Sequence, residues 1–209
     1  MGMFRKLFSI AVLLFVASVL SAQDAALLNR FNREISSSCV ELSYSYSFRN
    51  SGVTVSGAGE LTAQGLFWKL VGNGVEMYCD SSALWVVDPN LKEVVIEPAV
   101  TESEESYAVN PAILIVRMDK MFKLRDAVDS KDGKSVVYIM DPVVKGKFEY
   151  LNVELLKSDT SIKGAVVALT DGNRIDIKVN SMKLMPLRTV EDFRPLKQFD
   201  SSWIVTDLR

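Results

Sequence analysis

The stretch Gly65–Pro98, GLFWKLVGNGVEMYCDSSALWVVDPNLKEVVIEP, leaves the chain little choice but a β-sheet. Short apolar and aromatic runs (Phe67, Trp68, Leu70; Met77, Tyr78; Trp85, Val87; Val94, Ile96) are cut by turn signals at Gly72-Asn73-Gly74, Asp80-Ser81-Ser82 and Asp88-Pro89-Asn90. An Asp side chain can bond the backbone that follows it, and Pro presets φ at the second turn position. Ala83–Val87 and Lys92–Glu97 are therefore expected as two arms of one hairpin, within four successive strands. The segment carries large apolar groups and no arrangement of catalytic groups.

The chain before it follows the same logic. In Val40–Arg49, the residues Val40, Leu42, Tyr44, Tyr46 and Phe48 alternate with Glu41, Ser43, Ser45, Ser47 and Arg49. A period of two places the five large groups on one face of a sheet. Val53–Gln64 returns as a long strand whose Gly57 and Gly59 predict curvature or a bulge. A phosphate-binding loop does not fit their spacing. Upstream, Asp24–Ser36 predicts a helix capped by Asp24, with Leu27, Leu28, Phe31 and Ile35 on one face.

Downstream, Thr101–Tyr107 is an acidic loop, and Asn110-Pro111 leads into a short apolar helix over Ala112–Leu124. Strands are then expected over Ser135–Met140, Phe148–Leu156, Ala165–Thr170 and Arg174–Lys183, the last after an Asp171-Gly172 turn. Phe193-Arg194-Pro195 and Trp203–Arg209 close the chain. The sum is about ten strands, mostly antiparallel, with two or three helices. The expected fold class is mainly β (α+β): one strongly curved sheet with helices on its concave face.

Residues 1–22 read as a signal peptide. Arg5 and Lys6 form a basic start, Ser9–Leu20 an apolar run, and Ser21-Ala22 the small residues before cleavage at Gln23. An uncleaved anchor is the alternative, although the run is short for a bilayer span. Residues 23–209 are then expected to form one exported domain, whose formal charge changes from −2 to −4 once Arg5 and Lys6 are removed. That mild acidity argues against nucleic-acid binding, which needs a basic face.

With no histidine, the chain lacks a Ser-His pair and any imidazole ligand. The carboxylates of Asp80, Asp88 and Asp171 are accounted for as turn formers, so the residues speak for binding and against an enzyme. No cofactor is called for. Cys39 and Cys79, bound for an oxidising compartment, are either bridged or two buried thiols. The aromatic strand faces could line a closed core or a ligand cavity; the residues alone leave both open.

The order of these features resembles the LolA-like outer-membrane lipoprotein carriers. The shared signs are the N-terminal amphipathic helix, the aromatic first strand, and Gly59-Glu60-Leu61 leading to Phe67-Trp68. After these come Asp80 with Leu84-Trp85, the Asp88-Pro89 hairpin with Glu93-Val94, Asn110-Pro111 before an apolar helix, and the Asp171-Gly172 turn. The likeness spans essentially the whole chain after residue 22. It departs where the family has an arginine before its Phe/Trp strand, here Ala63-Gln64-Gly65, and at Asp80-Ser81, where the family has Asp-Gly.

Such a resemblance implies an unclosed β-barrel with helices as a lid over an apolar cavity, in a periplasmic protein that acts as a monomer. Its partners would be acylated lipoproteins or another lipid, an inner-membrane release complex and an outer-membrane acceptor. Phe31, Leu42, Tyr44, Tyr46, Phe48, Trp68, Met77 and Trp85 are then candidates for the cavity wall, and Leu114, Met118 and Met121 for the lid. A same-fold lipid sensor without transfer activity is the alternative reading.

Overall fold

A computed structural model describes residues 25–50, 52–99, 113–159, 161–196 and 199–209. The signal segment, the Asp24 cap, the Thr101–Tyr107 loop and Asn110-Pro111 lie outside these residues. Residues 25–36 form helix α1. The strands β1 (Cys39–Asn50), β2 (Val53–Gln64), β3 (Phe67–Gly72), β4 (Val75–Cys79), β5 (Ala83–Asp88) and β6 (Glu93–Pro98) follow in an antiparallel meander. Helix α2 (Ile113–Met121) leads to β7 (Phe122–Asp129), β8 (Ser135–Pro142), β9 (Phe148–Leu156), β10 (Ile162–Leu169) and β11 (Arg174–Met185). A 3₁₀ turn (Val190–Phe193) and β12 (Ile204–Asp207) end the chain.

All twelve strands of the described residues belong to one sheet in the order β12-β6-β5-β4-β3-β2-β1-β11-β10-β9-β8-β7. It is curved and does not close, since β12 and β7 stand at opposite edges. The pairing of β1 with β11 joins the two meanders, and a bulge between Ser43 and Tyr44 bends the sheet at that seam. The β3–β4 connection shows how local chemistry fixes register. Asn73 (φ 53°) and Gly74 (φ 81°) both take positive φ, as a two-residue type I′ hairpin requires.

One face of the sheet carries the main core. Leu28, Phe31 and Ile35 of α1 and Leu114, Ile115 and Met118 of α2 pack onto Val40, Leu42, Leu61, Tyr138, Leu151 and Val153 of the sheet. At roughly 1.5–3 kcal/mol per fully buried large apolar side chain, this face supplies most of the driving force for folding. A second, smaller cluster lies apart from it: Tyr78, Ala83, Val87, Val94 and Ile96, with Trp85, Phe199 and Trp203. Trp85 is two residues from Ala83 and from Val87, so the pleat puts all three on one face, away from Leu84 and Val86. The C-terminal tail, not a helix, covers this face.

One sequence-based expectation is corrected, and two are made specific. The helix expected over Ala112–Leu124 ends at Met121, and Phe122 begins a strand. Phe-Lys-Leu-Arg is too short a run to separate the two periods. The outcome is decided by backbone pairing with β8 and by Phe122 packing on Phe148, with ring centroids 5.7 Å apart. The sheet is mostly antiparallel, as expected, with β12 running parallel to β6. A long crossover brings the tail back, so no hairpin dictates its direction.

Of the two alternatives for the cysteines, the structure has the second: both are buried, free thiols. Val40, beside Cys39, is linked in register through Ala63 and Trp68 to Cys79. Three strand spacings, roughly 14 Å, separate the two cysteines, beyond the ~7 Å that a bridge tolerates.

Close backbone approach makes one glycine critical. A Cβ at Gly164 would stand 2.4 Å from the Ile177 carbonyl oxygen on the paired strand. Gly164→Ala is expected to destabilise the fold by roughly 1–3 kcal/mol, read as a lower midpoint in urea unfolding at unchanged slope. An unchanged midpoint would show that β10 and β11 can separate at no cost.

Candidate functional site

Along β1 the inward face changes from packed to open. Val40, Leu42 and Tyr44 are buried, while Tyr46 and Phe48 are half-buried. The helices cover the first part of the strand face. Beyond the Ser43/Tyr44 bulge the aromatic side chains border a cavity of about 640 Å³. Tyr44, Tyr46 and Phe48 form one wall, Leu70 and Met77 a second, and Phe148, Leu169 and Ile175 a third. Val55, 53% exposed, stands at the rim, so the cavity opens to solvent there.

The glycines of β2 make room for the aromatic wall. Tyr44 pairs with Gly59 and Tyr46 with Gly57. A Cβ on Gly57 would come within 2.7 Å of the Tyr46 hydroxyl, and one on Gly59 within 3.0 Å of the Tyr44 hydroxyl. Each ring therefore lies across the bare backbone of the neighbouring strand, with its own backbone in ordinary strand pairing. The two rings stand 6.3 Å apart, tilted by 35°. Ring seating accounts for Gly57 and Gly59, and β2 pairs with both neighbours without the bulge they predicted.

Polar groups at this site are few and accounted for. Asn73 Nδ2 donates to the Tyr46 hydroxyl at 2.8 Å, tying the type I′ turn to the wall. Burial, with a smaller push from Tyr46, raises the Tyr44 phenol to about 12, so it stays neutral at any physiological pH. Among the described residues, the lining carries no carboxylate and no amine. Among the described residues no His, Cys, Asp or Glu cluster could hold a metal ion. Such a surface can take an apolar guest and offers it almost no directional bonding.

The structure divides the candidate residues. Tyr44, Tyr46, Phe48, Met77 and Leu114 line the cavity, with Leu114 the contribution of α2. Phe31, Leu42 and Met118 lie in the packed core, and Trp68 and Met121 pack partly buried against it. Trp85 belongs to the separate cluster under the C-terminal tail. Val55, Leu70, Val75, Phe148, Leu169 and Ile175 also line the cavity but were not singled out by sequence. They sit near strand ends, where alternation is short, and only cross-strand register reveals that they converge: Phe48 faces Val55 and Ile175, and Phe148 faces Leu169.

At Ala63-Gln64-Gly65, Gln64 clamps the tail. Its Nε2 donates to the Arg188 carbonyl at 3.1 Å, and its Oε1 accepts from the Arg188 N–H at 2.7 Å. The Arg188 guanidinium in turn pairs with Glu41. The position thus anchors the start of the C-terminal segment.

No family model and no curated protein sequence matches the chain. Solved structures do. An uncharacterized conserved protein from Thermus thermophilus aligns with a TM-score of 0.52 at 15% identity, over 90% of this chain and 99% of that one; the fold is shared. Also similar are a DUF1329 family protein from Desulfovibrio piger (TM-score 0.48, 12% identity, 84% and 97% covered) and a LolA superfamily protein from Nitrosomonas europaea (TM-score 0.46, 10% identity, 82% and 97% covered).

Proposed function

We propose that this chain is a periplasmic, LolA-like carrier that holds the acyl chains of lipid-modified proteins in its cavity and delivers them to the outer membrane. In this reading residues 1–22 direct export and residues 23–209 form the carrier domain. The observation that carries it is the open cavity of about 640 Å³ whose described lining residues are uncharged, among them Tyr44, Tyr46, Phe48, Met77, Leu114 and Phe148. That volume lies within the ~300–1,000 Å³ of small-molecule sites. Each methylene taken from water contributes about 0.8 kcal/mol, so a long tail is held firmly without polar recognition. The absence of charge among the described lining residues suits hydrocarbon and leaves the headgroup outside.

A specific observation favours a second reading, a same-fold lipid sensor that binds without transfer. The carriers this chain resembles have an arginine that helps hold the lid closed, whereas Gln64 here is engaged with Arg188 in the tail. Two measurements separate the readings. An apolar fluorescent probe is expected to bind the purified protein at one per chain and to be displaced by a long-chain fatty acid. A carrier should then release a lipoprotein from membranes as a soluble complex; binding without release selects the sensor. No displaceable probe binding at all removes both.

A further inference from the structure

We propose that the β8–β9 loop is a docking finger that sets the cavity mouth against an anionic phospholipid bilayer. The loop reads Pro142-Val143-Val144-Lys145-Gly146-Lys147 before Phe148 opens β9. Val143 is 56% and Val144 73% exposed, with two lysines directly after them and no acidic residue in the run. Single exposed aliphatic side chains are ordinary on a protein surface. Two adjacent ones at a loop tip, followed by cations, match the chemistry of a bilayer interface, where apolar groups enter beside the headgroups and lysines meet anionic lipid.

The finger is held at its base. The Val143 N–H donates to the Met121 carbonyl at 2.8 Å, where α2 ends, and the Thr170 N–H donates to the Lys147 carbonyl at 2.9 Å. The Thr170 hydroxyl reaches the Gly146 and Lys147 carbonyls at 3.3 and 3.4 Å. On the β8 side, Asp141 is neutralised by Arg125 at 2.9 Å. The valines are thus displayed from a fixed frame.

Position gives the loop its meaning. Phe148, the next residue, lines the cavity, and so does its cross-strand partner Leu169. On the other side of the mouth, at the same end of the sheet, Val53 and Val55 are 63% and 53% exposed. β2 and β9 are four strand spacings apart in the sheet, roughly 20 Å. An aliphatic rim therefore flanks the opening on both sides, and a bilayer meeting it would face the cavity directly. The finger rests on the acyl-cavity reading for its purpose, though not for its chemistry.

The test is co-sedimentation of the purified protein with vesicles of phosphatidylglycerol and phosphatidylcholine, against phosphatidylcholine alone, with apolar-probe binding measured in parallel. The protein is expected to bind the anionic vesicles and to leave the neutral ones. At roughly fivefold per lysine, Lys145→Ala/Lys147→Ala should weaken vesicle binding by roughly twenty-five-fold. Val143→Ser/Val144→Ser should weaken it by at least roughly tenfold, and both variants should keep the parent's probe affinity. Vesicle binding that is indifferent to both variants, or absent from the unaltered protein, overturns the proposal. Loop-dependent vesicle binding in a protein that takes up no probe would uphold the finger and remove the cavity's assigned role.

Discussion

Replacing Asp80 with alanine is expected to destabilise the fold by about 3 kcal/mol and to loosen the C-terminal tail, while apolar-probe binding at the cavity persists. Asp80 is 4% exposed in the β4–β5 turn. Its Oδ1 accepts from the Ser82 N–H at 2.9 Å, the Ala83 N–H at 2.9 Å and the Ser82 hydroxyl at 2.6 Å; its Oδ2 accepts from Arg194 Nε at 2.6 Å. Truncation orphans two backbone donors, one of them buried, and releases the tail residue next to the fully buried Phe193. The Arg194 side chain is 47% exposed and can rehydrate, which keeps the cost near the lower end of that for a broken buried pair.

The same carboxylate supplies a pH signature. Burial pushes the Asp80 carboxyl up, but the Ser82 hydroxyl, the Ala83 N–H, Arg194 and the Ser82 N–H together hold it down at about 2. A depressed folded pKa adds stability that is complete above the unfolded value near 4 and is lost as pH falls towards 2. The lost amount is about 2 kcal/mol. Other carboxylates titrate in the same window, so the comparison with Asp80→Asn isolates this one. The parent should lose about 2 kcal/mol more than Asp80→Asn between pH 4 and pH 2 in urea midpoints. Parallel pH profiles for the two proteins would show that Asp80 is not held in this way.

The contrast between β1 and the C-terminal tail shows what a sequence can disclose. Five alternating large residues in Val40–Arg49 fix both the strand and its buried face, because period two admits only one inward set. The Asn73-Gly74 turn and the Asp88 turn likewise carry their register in their residues, with Asp88 Oδ1 accepting from the Asn90 N–H at 2.9 Å. The tail has no period. Phe193, Phe199 and Trp203 are spaced irregularly, and nothing in them states that they will meet Phe67, Tyr78 and Trp85 across the sheet. Trp85 illustrates the consequence: alternation says that it leaves Leu84 and Val86, but which side holds the helices depends on contacts more than a hundred residues away.

The cavity was legible in part for the same reason. Tyr44, Tyr46 and Phe48 could be named from one strand, whereas Phe148, Leu169 and Ile175 join them only through the β1–β11 pairing and its bulge. Phe31 and Leu42 look equally apolar in the sequence, yet lie where the helices have already filled the space. What separates lining from core is position along the strand relative to the helices, a tertiary fact.

Phe48→Glu is expected to lower acyl-chain affinity by at least about a hundredfold with only a small loss of stability, whereas Trp68→Glu should unfold or severely destabilise the protein. Phe48 is half-buried and borders the open end of the cavity beside the exposed Val55. In the empty protein a carboxylate there can stay hydrated, so folding is little affected. An entering hydrocarbon tail strips that water, and an unpaired charge against an apolar guest costs several kcal/mol. Trp68 is also only partly buried and, like Phe48, packs against the main core, but its cross-strand partners Ala63 and Cys79 are both almost fully buried. A charge at that position would lie against apolar, almost fully buried neighbours and lose much of its hydration. Titration of an apolar probe, followed by a thermal melt of each variant, reads both effects. If Phe48→Glu binds probe as the parent does, hydrocarbon does not occupy the space beside β1. If Trp68→Glu melts like the parent and loses the probe, the boundary between packed core and cavity lies one row of residues deeper than the wall formed by Tyr44, Tyr46 and Phe48.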